Sequence, residues 1–483
     1  MNTAELNRKQ ALAKVVNELD RLYPQGGYDA AVLASAVAAP DFITTRSGHN
    51  RQFTREASLA LGMLCYAWTK EVPKLAIRMD VKELLTCLRQ AVGDLHADRL
   101  LDGGESENLK LLDDTVNKIL ECSQVDFVHS FPAWTLGMEY EHPFVVGPVS
   151  IMSRNQWLDS VDFNDYAKKA FAEDEERNHQ WKEALREALA RPTETVEEGE
   201  KPLPMLASFM YGPLRSAPSL LRVSLSGYEA TLSRKAARHI CKTTLDGLSL
   251  LLGGKELFHQ QTLSDERMPP VDHHTIVESK GFLHAPGYGL NKQIRIMAGK
   301  RVKDQLTQDI MRPRLDALSH ILHSLVSPEE YSHPQLAMRW AMALDWLAEG
   351  ERESSEAIAL AKIGTSLDVL TEGGKFGGIL NMITHLTGKD EKTIVKVGPV
   401  HRDLRWLVRE IYDNGRSKIL HGNVFDRLQS FADIRLAASS LARLVLIECA
   451  VRLKSYRGSD SSKAFRDIPD VSPAEETPQN VEQ

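Results

Sequence analysis

The sequence predicts a mainly α, multidomain protein, and three observations carry that reading. Apolar residues recur at helical spacing toward both ends, β-branched runs are confined to the middle, and 483 residues exceed what one hydrophobic core usually serves. Dividing the length by about 150 gives roughly three domains. The pattern places a helical N-terminal domain at 1–122, a mixed α/β middle at 123–325, a helical bundle at 326–456 and a disordered tail at 457–483.

From Ala4 to about Cys122 the spacing is helical, as in Leu59-Ala60-Leu61-Gly-Met63-Leu64 and Val81-Lys-Glu-Leu84-Leu85-Thr-Cys87-Leu88. Pro24-Gln-Gly-Gly and Asp102-Gly-Gly mark turns. In the middle, Pro143-Phe-Val-Val-Gly-Pro-Val-Ser-Ile-Met152 reads as two short strands around Gly147-Pro148, and Leu220–Leu225 as another strand. A charged helix is expected from Glu173 to Ala190, its acidic start Glu173-Asp-Glu-Glu176 suiting the helix dipole. An acidic, proline-bearing loop follows at 191–202. A further helix, Ala230 to Leu252, ends at Gly253-Gly254, which supply the left-handed conformation of a C-cap.

After Pro334 helices are expected at about 335–348, 351–371, 376–387, 400–413 and 424–455. In the last, Val424, Leu428, Phe431, Arg435, Ala438, Leu441 and Val445 form a mostly apolar stripe. Beyond Tyr456 too little apolar surface remains to offset the entropy of ordering.

Composition is that of an ordinary water-soluble chain, and a net charge of −7 with pI near 6.2 excludes a protein that coats nucleic acid by bulk positive charge. Local basicity survives that exclusion: Lys392, Lys396, Arg402, Arg405, Arg409, Arg416, Lys418 and Arg427 oppose Asp403, Glu410, Asp413 and Asp426. Five widely spaced cysteines without a Cys-x-x-Cys pair read as reduced core thiols. With no signal-peptide core and no apolar run approaching about 18 residues, the expected location is the cytoplasm, away from membranes.

The most informative stretch is Tyr412-Asp-Asn-Gly-Arg416-Ser-Lys-Ile-Leu-His421-Gly422. An arginine can hold a phosphate and an imidazole can move a proton near neutral pH, which together suffice to cut RNA without metal or cofactor. Arg-x4-His also arises by chance among sixteen histidines, and Arg234–His239 is a second pair. That one lies inside an uninterrupted helical pattern, where five residues turn about 140° and point the two side chains apart. The 416–421 pair instead follows Asp413-Asn414-Gly415, a sequence that caps and restarts helices. A restart would put Arg416 in a first turn beside free N–H groups, with Ser417 one turn before His421 on the same face. If the helix runs through Gly415, the two converge only by distortion or by pairing with a second copy.

Tyr412-x3-Arg416-Ser417-x3-His421-Gly422 resembles the signature of HEPN domains, in particular the ApeA-like branch of anti-phage ribonucleases. Ala341-Met-Ala-Leu-Asp-Trp-Leu347 is similar to the first helix of that family and Thr365-Ser-Leu-Asp368-Val-Leu370 to its second, where glutamate is frequent in place of Asp368. The resemblance covers about 335–455 and leaves 1–325 unassigned. It implies a homodimer or higher homo-oligomer that brings two Arg/His sets into one cleft and cleaves RNA, tRNA among the plausible substrates. It further implies abortive infection as the setting, with a phage-derived trigger and the front regions as regulators. On this reading Arg416 and His421 are catalytic, Asp368 and Asn414 orient them, and Ser417, Lys418, Arg409 and Arg405 contact RNA. The alternative is a non-catalytic adaptor that binds RNA, a nucleotide or a protein, with Arg416 paired to Asp413 or Asp368 and His421 capping a helix.

Other constellations are weaker. His320-x2-His323 and Asp272-His273-His274 contain metal-ligand types without an assured third partner. Gly373-Gly-Lys-Phe-Gly-Gly378 lacks the order of a phosphate loop and reads as a helix–helix turn. Trp340 and Trp346 read as core or dimer-interface anchors.

Overall fold

The computed structural model describes residues 7–24, 27, 29, 31–32, 42–72, 78–123, 125–170, 180–191, 202–266, 278–283, 299–423 and 428–470. It is mainly helical, and its contacts form two units: residues 1–128 with 224–236, and residues 129–223 with 237–483. Thus the β-bearing middle and the C-terminal helices share one unit, where composition alone separates them.

The first unit packs α1 (Arg8–Leu22), α2 (Arg55–Glu71), α3 (Val81–Ala97) and α4 (Glu105–Ser123) around one core, with a small hairpin, β1 (Phe42–Thr44) and β2 (Asn50–Gln52), that periodicity did not reveal. Local signals start the helices: Asn7 and Gln10 form a capping box on α1, and Thr54 and Asp80 cap α2 and α3. Ala11, Leu12, Val15, Leu19 and Leu22 bury one face of α1 against Leu61, Leu64 and Trp68. Each fully buried aliphatic side chain contributes about 1.5–3 kcal/mol.

A five-stranded sheet has the order β4-β5-β6-β3-β7, from β3 (Val125–Trp134), β4 (Phe144–Val146), β5 (Val149–Ser153), β6 (Ser219–Tyr228) and β7 (Thr262–Leu263). The β4–β5 turn needs glycine: Gly147 has φ +56°, and a Cβ there would lie 3.0 Å from Ser319 O. Helices α5 (Arg154–Ser160), α6 (Asp165–Ala170), α7 (Trp181–Ala190) and α8 (Met205–Arg215) follow β5. Residues 171–179 and 192–201, which include Glu173–Glu176 and most of the acidic loop, lie outside the described residues. After β6 come α9 (Ala230–Leu252) and α10 (Lys255–Gln260); two-residue strands β8 (Glu278–Ser279) and β9 (Phe282–Leu283) pair with each other.

The bundle consists of α11 (Gly299–Thr307), α12 (Arg312–Val326), α13 (Pro334–Arg352), α14 (Glu356–Leu370), α15 (Lys375–Thr387), α16 (Leu404–Arg409), a π-helical stretch Glu410–Ser417, α17 (Lys418–Leu420) and α18 (Ala432–Ser455). Helix α14 is buried on most of its faces, through Leu360, Ile363, Leu367 and Leu370, so Asp368 is a carboxylate on a core helix. Trp340 is core, its indole donating to Leu446 O at 2.8 Å. Trp346 is 40 % exposed.

Three expectations change. Residues 400–403 are not helical but form β11 (Val400–Asp403), which pairs with β10 (Ile394–Val397) in a hairpin; Asp403 then caps α16. The last helix begins at Ala432, so Leu428 does not join the stripe and is 94 % exposed. The early part of the expected disordered tail is ordered: Phe465 and Ile468 are buried, and Asp460 accepts from the N–H groups of Gln335 and Leu336 at the start of α13. Two apolar anchors and a cap offset ordering costs that composition alone does not. Residues 471–483 lie outside the described residues.

Candidate functional site

The helix that carries the Arg/His pair does not restart at Gly415. It runs from α16 into α17, and across the motif its turns widen to the π form, with Lys418 N–H donating to Asp413 O five residues back. The reason is packing against α14. A Cβ on Gly415 would lie 2.9 Å from Glu410 O and from Leu360, and one on Gly364 would lie 2.9 Å from the Arg416 Cβ and 3.1 Å from Ile411 O. A glycine on each helix, Gly364 against Arg416 and Gly415 against Leu360, lets the backbones approach, and the extra residue in the turn is accommodated there. Gly415 therefore serves helix contact rather than capping, and Arg416 sits in the middle of a helix rather than in a first turn.

That approach brings Arg416 to Asp368. Arg416 Nη2 lies 3.2 Å from Asp368 Oδ2, with side chains 27 % and 10 % exposed, and the guanidinium sits 5.5 Å from the Tyr412 ring. Arg416 Nε is buried with no hydrogen-bond partner. Asp368 is held from its other side by the Lys375 N–H, 3.3 Å from Oδ1. The Tyr412 hydroxyl is pushed above its ordinary pKa by burial first and by the charge of Asp368 second.

The turn that supplies the Lys375 N–H is itself unusual. Glu372 and Lys375 both have positive φ without being glycine, and Gly373 lies between them. It is held from outside by Arg466, which donates from Nε (2.9 Å) and Nη2 to Thr371 O, while Thr371 Oγ1 accepts from the Gly374 N–H at 3.2 Å. The glycine-rich stretch is thus the α14–α15 turn.

His421 is exposed at the C-terminal end of α17. Gly422 follows with φ +70°, its N–H donating to Ile419 O (3.1 Å), and the Asn423 N–H donates to Lys418 O (2.8 Å), the pattern of a Schellman cap. No hydrogen bond or ion pair joins the His421 ring to another described residue, Arg416 included. Asn414 is turned to its own helix, donating to Glu410 Oε1 at 2.7 Å, and does not reach Arg416 or His421 through a hydrogen bond. Ser417 and Lys418 lie between Arg416 and His421, Lys418 exposed. Arg405 pairs with Glu391 at 2.7 Å, and Arg405 and Arg409 lie 5.7 and 5.3 Å from the Phe376 ring.

The structure therefore unites Arg416 with Asp368, leaves His421 exposed and without a side-chain partner among the described residues, and sets Asn414 apart. Gly364 and Phe376 are site neighbours that the spacing did not single out. An isolated glycine inside the apolar run of α14 was the available signal for the first.

The remaining constellations resolve simply. Arg234 is exposed and His239 half-buried, its pKa lowered chiefly by burial. His320 and His323 both lie beside the Tyr331 ring, 5.2 and 6.4 Å between centroids. Among the described residues no group of three or more His, Cys, Asp or Glu is placed to hold a metal ion. Asp272, His273 and His274 lie outside the described residues. Cys65, Cys241 and Cys449 are buried free thiols and Cys87 is half-buried. Among the described residues no helix is long and apolar enough to cross a membrane. No family model, curated protein or solved structure matches this chain.

Proposed function

We propose that the C-terminal bundle is a HEPN-type endoribonuclease that cuts RNA without a metal, in anti-phage defence by abortive infection, with the preceding regions restraining it. The observation that carries the reading is the pairing of Asp368 on α14 with Arg416 on the widened helix, with an exposed imidazole, unpartnered among the described residues, five residues further along. A guanidinium fixed on one edge by a carboxylate keeps other N–H groups for phosphate, and the Arg416 side chain is 27 % exposed.

In the proposed reaction the RNA 2′-hydroxyl attacks the adjacent phosphorus and its proton passes to a base. The P–O5′ bond breaks, the leaving oxygen takes up a proton, and a 2′,3′-cyclic phosphate and a 5′-hydroxyl result. His421 supplies the proton transfer and Arg416 steadies the charge of the crowded phosphorane. A second copy across a twofold axis would provide the other Arg/His set.

The test is purified full-length protein with total RNA in chelator. Wild type cleaves, whereas Arg416→Ala and His421→Ala, shown folded by circular dichroism, do not. Cleavage retained by both variants removes the reading. A second reading, a non-catalytic adaptor, is favoured by the place of His421 at a helix C-terminus, where an imidazolium complements the dipole. Tight RNA binding by wild type with no cleavage under any activating condition would select it.

A further inference from the structure

We infer that the face formed by the β10–β11 hairpin, α16 and the start of α15 is a track for unpaired RNA leading to Arg416. Four arginines follow one another along this segment, each against an aromatic ring. Arg402 lies 5.8 Å from the Trp406 ring, Arg405 and Arg409 lie 5.7 and 5.3 Å from Phe376, and Arg416 lies 5.5 Å from Tyr412. Arg402 and Arg409 are exposed and have no carboxylate partner among the described residues, whereas Arg405 is paired to Glu391 and Arg416 to Asp368. On the hairpin, Lys396 faces His401 across the register, and both are exposed. In a chain of net charge −7, two unneutralised arginines beside Lys396 make a local field of the opposite sign.

The alternation with aromatic rings decides the ligand. An acidic protein partner needs only the charges. A nucleic-acid strand uses both parts: guanidinium N–H groups take successive phosphates, while the guanidinium planes and the half-buried Trp406 and Phe376 rings accept stacked bases. Tyr412 is buried and only backs Arg416. A duplex keeps its bases stacked on one another and has none to offer, so the ladder favours RNA that is single-stranded or looped. The track is physically continuous with the site, because Phe376 directly follows Lys375, whose N–H holds Asp368. The inference rests on the proposed nuclease only for its end point at Arg416.

The test uses full-length protein and a fluorescent 2′-O-methyl oligonucleotide, which lacks the nucleophile and reports binding without cleavage. Wild type binds the single strand at least about tenfold more tightly than the same sequence as a duplex. Phe376→Ala weakens single-strand binding by roughly tenfold, the loss of one stacked base. Arg402→Glu and Arg409→Glu each weaken it and lower the salt slope by about one. Equal binding of single strand and duplex overturns the inference, as does wild-type binding by folded Arg409→Glu, an exposed change that spares the core. The two proposals fail separately. His421-dependent cleavage with binding indifferent to these variants removes the track alone, and binding that needs the track without cleavage by wild type removes the nuclease alone.

Discussion

Arg416 Nη2 stands 3.2 Å from Asp368 Oδ2, tying the widened helix to the buried helix α14. Both partners are mostly shielded, and the carboxylate also accepts from Lys375, so the pair sets the direction of the guanidinium as well as its charge.

Removing the carboxylate leaves a partly buried cation with no ionic partner. Asp368→Ala and Asp368→Asn are expected to lower stability in urea by about 1.5–3 kcal/mol, the range for hydrogen bonds to charged groups. RNA cleavage should fall further than that loss explains at temperatures where both variants remain folded. Unchanged urea midpoints would show that the pair is not holding the helices.

The two glycines at this helix contact should be intolerant of a methyl group. Gly364→Ala meets the Arg416 Cβ and Gly415→Ala meets Leu360, each costing about 1–3 kcal/mol by overpacking. Gly377, half a turn into α15, has open space around its Cβ position, and Gly377→Ala should be neutral or stabilising by about 0.4–1 kcal/mol. Thermal unfolding of the three variants checks the order.

The ordered segment 457–470 should be needed by the bundle. Phe465→Ala is expected to cost about 3–5 kcal/mol as a large-to-small change in the core. Arg466→Ala should cost less while loosening the strained Thr371–Lys375 turn, read as faster amide exchange at Lys375. Protection at Lys375 that survives Arg466→Ala would show the turn to be self-supporting.

Acid should weaken the packing of α7. Asp162 accepts from the Trp181 indole (3.0 Å), from Lys168 (2.9 Å) and from the Phe163 N–H (2.8 Å), and the Trp181 bond first lowers its carboxyl to a pKa of about 2. A depressed folded value means that this contribution is complete above the unfolded pKa, about 3.9, and is lost as pH falls through about 2. The group is largely exposed, so solvent screening keeps the effect modest. The Trp181 indole proton should shift in that window in wild type, and Asp162→Asn should abolish the dependence.

Much of this fold was legible in the chain. Helix α9 spans Ala230–Leu252 and ends at Gly253-Gly254 as spacing and capping chemistry require, and the Gly147-Pro148 hairpin lies where β-branched residues flank a turn. Asp368 and Arg416 came from the motif, but their contact did not. It depends on Gly364 and Gly415 allowing two helices to close together, a tertiary fact with no period in sequence. Likewise Val400–Asp403 carries a charged, weakly alternating pattern that adopts strand form only by pairing with Ile394–Val397. The order of the segment after Tyr456 is not legible in its polar composition, which buried Ala464, Phe465 and Ile468 outweigh once a surface exists to receive them.

The most direct test of the central claim is end-group analysis of RNA incubated with wild type and with folded His421→Ala in chelator. The account predicts 2′,3′-cyclic phosphate and 5′-hydroxyl ends from wild type and intact RNA with the variant. Intact RNA with both proteins, or cyclic-phosphate products made equally by the variant, would contradict it.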